Sequence, residues 1–134
     1  MFEIDLDDFW KITDLTALKL VRNSVIVPML FLHNTGTDKR NAIVYLTGSQ
    51  EPRNRIPRLV AKYGADAYAF YGVGVVINMD NPMSLPTTAL IHEGKTIDGK
   101  VKRHKTWSVI VDENGKVKDL IERADPLRPK KEVL

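Results

Sequence analysis

Two turn dipeptides late in the chain, Asp98-Gly99 and Asn114-Gly115, restrict its possible folds more than any other feature. Each joins a residue that tolerates a left-handed backbone to a glycine, the chemistry of a type I′ hairpin turn. They bracket residues 100–112 and are flanked by strand-length segments at 88–96 and 116–121. Three strands linked by two tight turns make an antiparallel meander, although a short helix competes for 116–121. A doubly wound parallel sheet is excluded there, because parallel neighbours need long crossovers.

Upstream the pattern reads helix, hairpin, helix, strand. Phe2, Ile4 and Leu6 alternate with acidic residues as a short strand would, and a helix opening at the aspartate cluster competes with that strand. Asp14 is placed to cap a helix carrying Leu15, Leu18 and Val21 and ending at Asn23-Ser24. Residues 25–33 form a strand that starts after Pro28 or lies at an edge there, and 41–47 are its antiparallel partner across a polar loop. In the second helix Ser49 or Asn54 is the expected cap, with Pro52 and Pro57 early in the helix. Ile56, Leu59, Val60 and Tyr63 form its apolar stripe, and Gly64 is its left-handed stop. Residues 67–77 are a strand with Gly72 and Gly74 on one face, where another backbone, a helix or a ligand can approach closely. A loop with Pro82 and Pro86 follows.

The expected fold class is α+β: a single antiparallel sheet of four to six strands with two helices packed on one face. The order is α-ββ-α-βββ, with an extra N-terminal strand as an open alternative. Residues 1–125 form the domain, and 126–134, with Arg128, Lys130 and Lys131, form a frayed basic tail. This order, with Leu59-Val60-Ala61-Lys62-Tyr63-Gly64-Ala65-Asp66-Ala67 feeding an apolar strand, a proline-containing loop and a polar-edged hairpin, resembles the roadblock and profilin-like architectures. It also resembles small uncharacterised microbial and phage proteins, and the likeness covers roughly residues 25–122. The first resemblance implies a scaffold for protein contacts and small-ligand sensing; the second has no activity to lend.

The 134 residues fit one domain. The absence of cysteine excludes disulfides, thiolate nucleophiles, cysteine-ligated zinc and iron–sulfur clusters. An acidic N-terminus and apolar runs too short to span a bilayer lead to the expectation of a soluble, cytoplasmic chain without membrane contact. The net charge of +3 is unevenly spread. Residues 1–14 hold five acids against Lys11. Two later segments are basic: one with Lys39, Arg40, Arg53, Arg55, Arg58 and Lys62, the other with Lys95, Lys100, Lys102, Arg103 and Lys105.

Enzyme motifs are scarce. Gly72-Val73-Gly74 lacks the third glycine of a dinucleotide fingerprint, since Ile77 stands there. His33, His92 and His104 lack a second ligand at metal spacing, and no serine has a nucleophile-elbow setting. No cofactor is expected. One enzymatic alternative fits the residue types: a metal-dependent nuclease in which Asp80 and Glu93 hold a divalent cation and Lys95 orients the attacking water. Binding without chemistry has more support. Arg55, Arg58 and Lys62 share a helix face opposite Ile56. Lys102 and His104 project to one side of their strand, and Arg103, Lys105 and Trp107 to the other. Phe9, Trp10 and Trp107 are expected in the core. The reading is therefore a non-enzymatic binding or protein-interaction domain that self-associates. Its partner is a protein or a nucleic acid met through Arg55, Arg58, Lys62, Lys102, Arg103 and Lys105.

Overall fold

A computed structural model describes residues 5–35, 40–47, 51–76, 83 and 87–123. Its elements are α1 (Leu6–Arg22), β1 (Met29–Thr35), β2 (Arg40–Tyr45), α2 (Pro52–Tyr63), β3 (Ala67–Val76), β4 (Thr87–Thr96), β5 (Lys102–Val111) and β6 (Val117–Arg123). The α+β class is as expected, and the order is α-ββ-α-ββββ, with four strands after α2. All six strands belong to one antiparallel sheet, ordered β2-β1-β3-β4-β5-β6. The expected tail at 126–134 and the loop with Pro82 and Pro86 lie outside the described residues.

The first helix starts earlier than Asp14. Asp5 caps it, accepting the Asp8 N–H at 2.9 Å, and Asp7 and Asp8 sit in the first turn where the helix dipole favours negative charge. From Leu6 onward, Phe9, Trp10, Thr13, Asp14, Ala17 and Val21 fall on one buried stripe. The helix at the aspartate cluster therefore wins over the strand alternation at Leu6, and residues 1–4 lie outside the described residues. β1 begins just after Pro28, whose carbonyl accepts the Leu46 N–H at 2.8 Å. Glu51 rather than Asn54 caps α2; Asn54 lies within the helix, and Ser49 is outside the described residues. Gly64 ends α2 with φ of 63°.

Both late hairpins form, but not through type I′ turns. Such turns need positive φ at both central residues, and Asp98 and Asn114 are not among the described non-glycine residues with positive φ. Instead the N–H of Gly99 bonds to Thr96 at 2.9 Å and that of Gly115 to Asp112 at 3.0 Å. Each glycine takes the left-handed position that follows a type I turn, with φ of 75° and 79°. The segment after the second turn is strand β6, not a helix.

The helices lie on opposite faces of the sheet, which corrects the expectation that they share one. Phe9, Trp10, Ala17 and Val21 of α1 pack with Met29 and Phe31 of β1, whereas Ile56 and Val60 of α2 pack with Leu30 and Leu32. Alternate residues of a strand point to opposite faces. The reason is written in β1: Met29, Leu30, Phe31 and Leu32 are an unbroken apolar run, the pattern of a strand covered on both sides. The α1 face carries the larger core, with Tyr71, Leu90, Trp107, Val109 and Leu120. On the other face, α2 and its apolar partners lie over β1, β2 and β3, so the α2 side of β4 to β6 is flanked by that helix and not covered by it.

Candidate functional site

Beneath α1 a set of polar side chains is enclosed with the larger core. Arg103 of β5 grips Asp14 of α1 with two parallel bonds, Nη1 to Oδ1 at 2.9 Å and Nη2 to Oδ2 at 2.6 Å. The side chains retain only 19 % and 12 % of their exposure. Tyr71 of β3 donates its hydroxyl to Asp14 Oδ1, and Thr13 Oγ1 lies 2.8 Å from that hydroxyl and 3.1 Å from the Trp10 carbonyl. Lys105 reaches Asp14 at 3.4 Å and Glu122 of β6 at 3.5 Å. His92 of β4 stacks on Tyr71 with ring centres 4.4 Å apart. Its Nδ1 faces the Phe70 carbonyl at 3.2 Å and its Nε2 faces Arg103 Nη1 at 3.1 Å. Because Arg103 can only donate, Nε2 is the acceptor and the proton resides on Nδ1.

The electrostatics agree with that assignment. Burial, aided by the Arg103 charge, pushes the His92 pKa down from 6.5 to about 4, so the ring is neutral at pH 7. Burial alone would raise the Asp14 carboxyl, but hydrogen bonds from Arg103 and Tyr71 outweigh it and hold the carboxyl below its ordinary value. Burial likewise works against the Arg103 charge, and Asp14 more than offsets it. Burial and the adjacent carboxylate keep the Tyr71 phenol protonated.

This set resembles a catalytic constellation in its residue types but not in its availability. Both nitrogens of His92 and both oxygens of Asp14 are engaged by neighbouring groups, so no free base or nucleophile is offered to a substrate. Its chemistry is that of a clamp fastening α1 to β3, β4 and β5. Gly94 makes the clamp possible, since a Cβ there would lie 2.8 Å from Trp10 Cζ3. Sequence reading missed Asp14, Tyr71, His92 and Gly94 as a unit. The available signal was a row of polar residues within otherwise core-facing strand positions.

A different surface lies on the α2 side of β3, β4 and β5. Tyr68, Lys95 and Lys102 stand in register across the three strands, and Phe70, Glu93 and His104 form the next row. Lys95 and Lys102 are directly opposed and both exposed. Directly opposed residues have Cβ atoms about 5 Å apart and like charges there repel, so the row carries an electrostatic cost within the chain. Glu93 is bridged to Arg53 of α2 at 3.0 Å. Tyr68 is half-buried, and burial together with Glu93 raises its phenol pKa, leaving it neutral.

The basic residues singled out from the sequence divide among three surfaces. Lys102 belongs to the lysine row. Arg103 and Lys105 point under α1 and serve Asp14. Arg55, Arg58 and Lys62 lie about 200–260° around α2 from Ile56, on the flank away from β4. Arg55 there donates to the Thr47 carbonyl at 2.6 Å, and Lys62 sits 5.4 Å from the Tyr63 ring centre. Of the nuclease trio, Glu93 and Lys95 share a face of β4, and Asp80 lies outside the described residues. Among the described residues no three histidine, aspartate or glutamate side chains gather as a metal site. Of the two glycines expected to admit a close approach, Gly72 has the Phe70 ring where a Cβ would lie 3.1 Å away, whereas a Cβ on Gly74 would make only an ordinary contact with Ile91 at 3.6 Å. No helix among the described residues is long and apolar enough to cross a membrane. No family model, curated protein or solved structure matches this chain.

Proposed function

We propose that this domain is a non-enzymatic binding module that holds single-stranded nucleic acid against the α2-side face of β3, β4 and β5. The observation that supports this reading is the in-register row of Tyr68, Lys95 and Lys102. Two lysines forced together by strand register gain most from an anion shared between them, and a phosphodiester supplies one at every nucleotide. A neutral phenol beside them offers a ring on which a base can stack, which favours a single strand over a duplex. Arg53 draws off the charge of Glu93, so the adjoining row does not repel phosphate strongly. A sequence pI near 9.2 acts in the same direction by drawing polyanions toward the surface.

The test is fluorescence anisotropy with labelled single-stranded and duplex oligonucleotides, at low and physiological salt, with and without Mg²⁺. Salt-sensitive binding of the single strand, weakened at least about tenfold by Lys95→Glu/Lys102→Glu, is the expected result. Arg55→Glu/Arg58→Glu, on the opposite flank of α2, is expected to change it far less. Absence of binding even at low salt rejects the reading. Mg²⁺-dependent cleavage that Glu93→Ala abolishes replaces it with the nuclease alternative.

A further inference from the structure

Among the described residues β6 is one edge of the sheet, and its sequence is complementary to itself. The strand reads Val117-Lys118-Asp119-Leu120-Ile121-Glu122-Arg123. Its β5 partners place Asp119, Ile121 and Arg123 on the face away from α1, opposite Ile110, Ser108 and Thr106. On that face Ile110 and Ile121 are 37 % and 49 % exposed and lie diagonally adjacent, so the edge ends in an apolar step. The Leu120 N–H, instead of entering the β5 ladder, bonds to the Asp119 carboxylate at 2.8 Å. Leu120 therefore turns its backbone groups outward, to the side where a seventh strand would bind.

We infer that this edge pairs antiparallel with β6 of a second copy, about a two-fold axis through Ile121. Isologous pairing of a strand with itself admits few registers, and charge selects among them. Centred on Ile121, the pairing sets Asp119 opposite Arg123 of the second copy, twice, with the two Ile121 side chains in contact between them. Leu120 then exchanges backbone hydrogen bonds with Glu122 of the second copy, which replaces the bond that Asp119 now provides and frees that carboxylate for the arginine. A register centred on Leu120 would instead ask Glu122 to pair with Lys118, and Glu122 is already engaged by Lys105 at 3.5 Å. A register centred between Leu120 and Ile121 would set outward-facing backbone groups of one copy against inward-facing ones of the other and forms no ladder. One strand per copy buries a modest area, so the dimer is concentration-dependent. This inference is independent of nucleic-acid binding, and its test uses the protein alone.

The test is sedimentation velocity of the full chain over a wide concentration range. The expected result is reversible dimerisation, weakened about tenfold or more by Asp119→Arg or Arg123→Asp alone. The double variant Asp119→Arg/Arg123→Asp restores wild-type association, because it re-creates the opposed pairs with their signs exchanged. Circular dichroism confirms that each variant remains folded. A chain monomeric at all concentrations overturns the proposal, as does a dimer indifferent to the single reversals or one that the double variant fails to restore.

Discussion

A methyl group added at Gly94 would meet Trp10 at 2.8 Å and the His92 ring at 3.1 Å, both held inside the core. Neither neighbour is the free end of a flexible chain, so Gly94→Ala is expected to cost about 1–3 kcal/mol of stability, read by urea denaturation. A nearly neutral result would show that Trp10 can move aside. Thr106 gives the opposite sign. Its Oγ1 is buried without a hydrogen-bond partner among the described residues, so the near-isosteric Thr106→Val removes an unsatisfied group. The same measurement is expected to show a change between zero and a gain of about 1–2 kcal/mol. Loss of stability would mean that the hydroxyl is satisfied after all. Asp14 and Arg103 follow a third rule: Arg103→Ala takes the two-bonded cation from a partly buried carboxylate and leaves it only Tyr71 and the longer contact with Lys105, so the variant is expected to cost up to about 3–5 kcal/mol.

At the scale of elements, the Arg103–Asp14 clamp that fastens α1 to the sheet is backed by a neutral histidine, and this gives the fold a dependence on pH. The folded pKa of His92 is about 4, below the 6.5 of the unfolded chain, so the unfolded state takes up the proton first. The His92 contribution to stability is level above about pH 6.5 and falls between there and pH 4, by on the order of 3 kcal/mol. Asp14, held below its ordinary value, adds a further loss in stronger acid. Denaturation across pH 4–7 checks this; the expected slope flattens in His92→Gln, and an unchanged slope contradicts the assignment. The same elements show which parts of the fold were legible. Turn glycines, the Gly64 stop and apolar runs located β1 to β5 and α2, because those signals are local; the first turns of α1 and the choice of strand over helix at 116–121 stay open in the sequence. The clamp was not legible, because Asp14, Tyr71, His92 and Arg103 meet only once α1 is laid across three strands. Asp14 read as a cap for the same reason: aspartate before an apolar stripe has the same appearance whether it starts a helix or lies buried within one. Helix sidedness is legible in the continuous apolar run of β1, which marks a strand covered on both faces.

For the whole molecule the sheet divides the charges. Arg103 and Lys105 are spent on Asp14 beneath α1, and Arg55, Arg58 and Lys62 decorate the far flank of α2. Lys95 and Lys102 remain as an opposed, exposed pair on the other face. Net charge and basic segments, read along the chain, could not separate these groups, since strand alternation sends neighbours such as Lys102 and Arg103 to opposite sides. The most direct test of the lysine row is the salt dependence of single-stranded oligonucleotide binding, compared between the wild type and Lys95→Gln/Lys102→Gln. Each phosphate contact contributes about 0.7 to the slope of log affinity against log salt, so losing both lysines is expected to reduce that slope by roughly 1.4. An unchanged slope, or one reduced equally by Arg55→Gln/Arg58→Gln, would contradict the account.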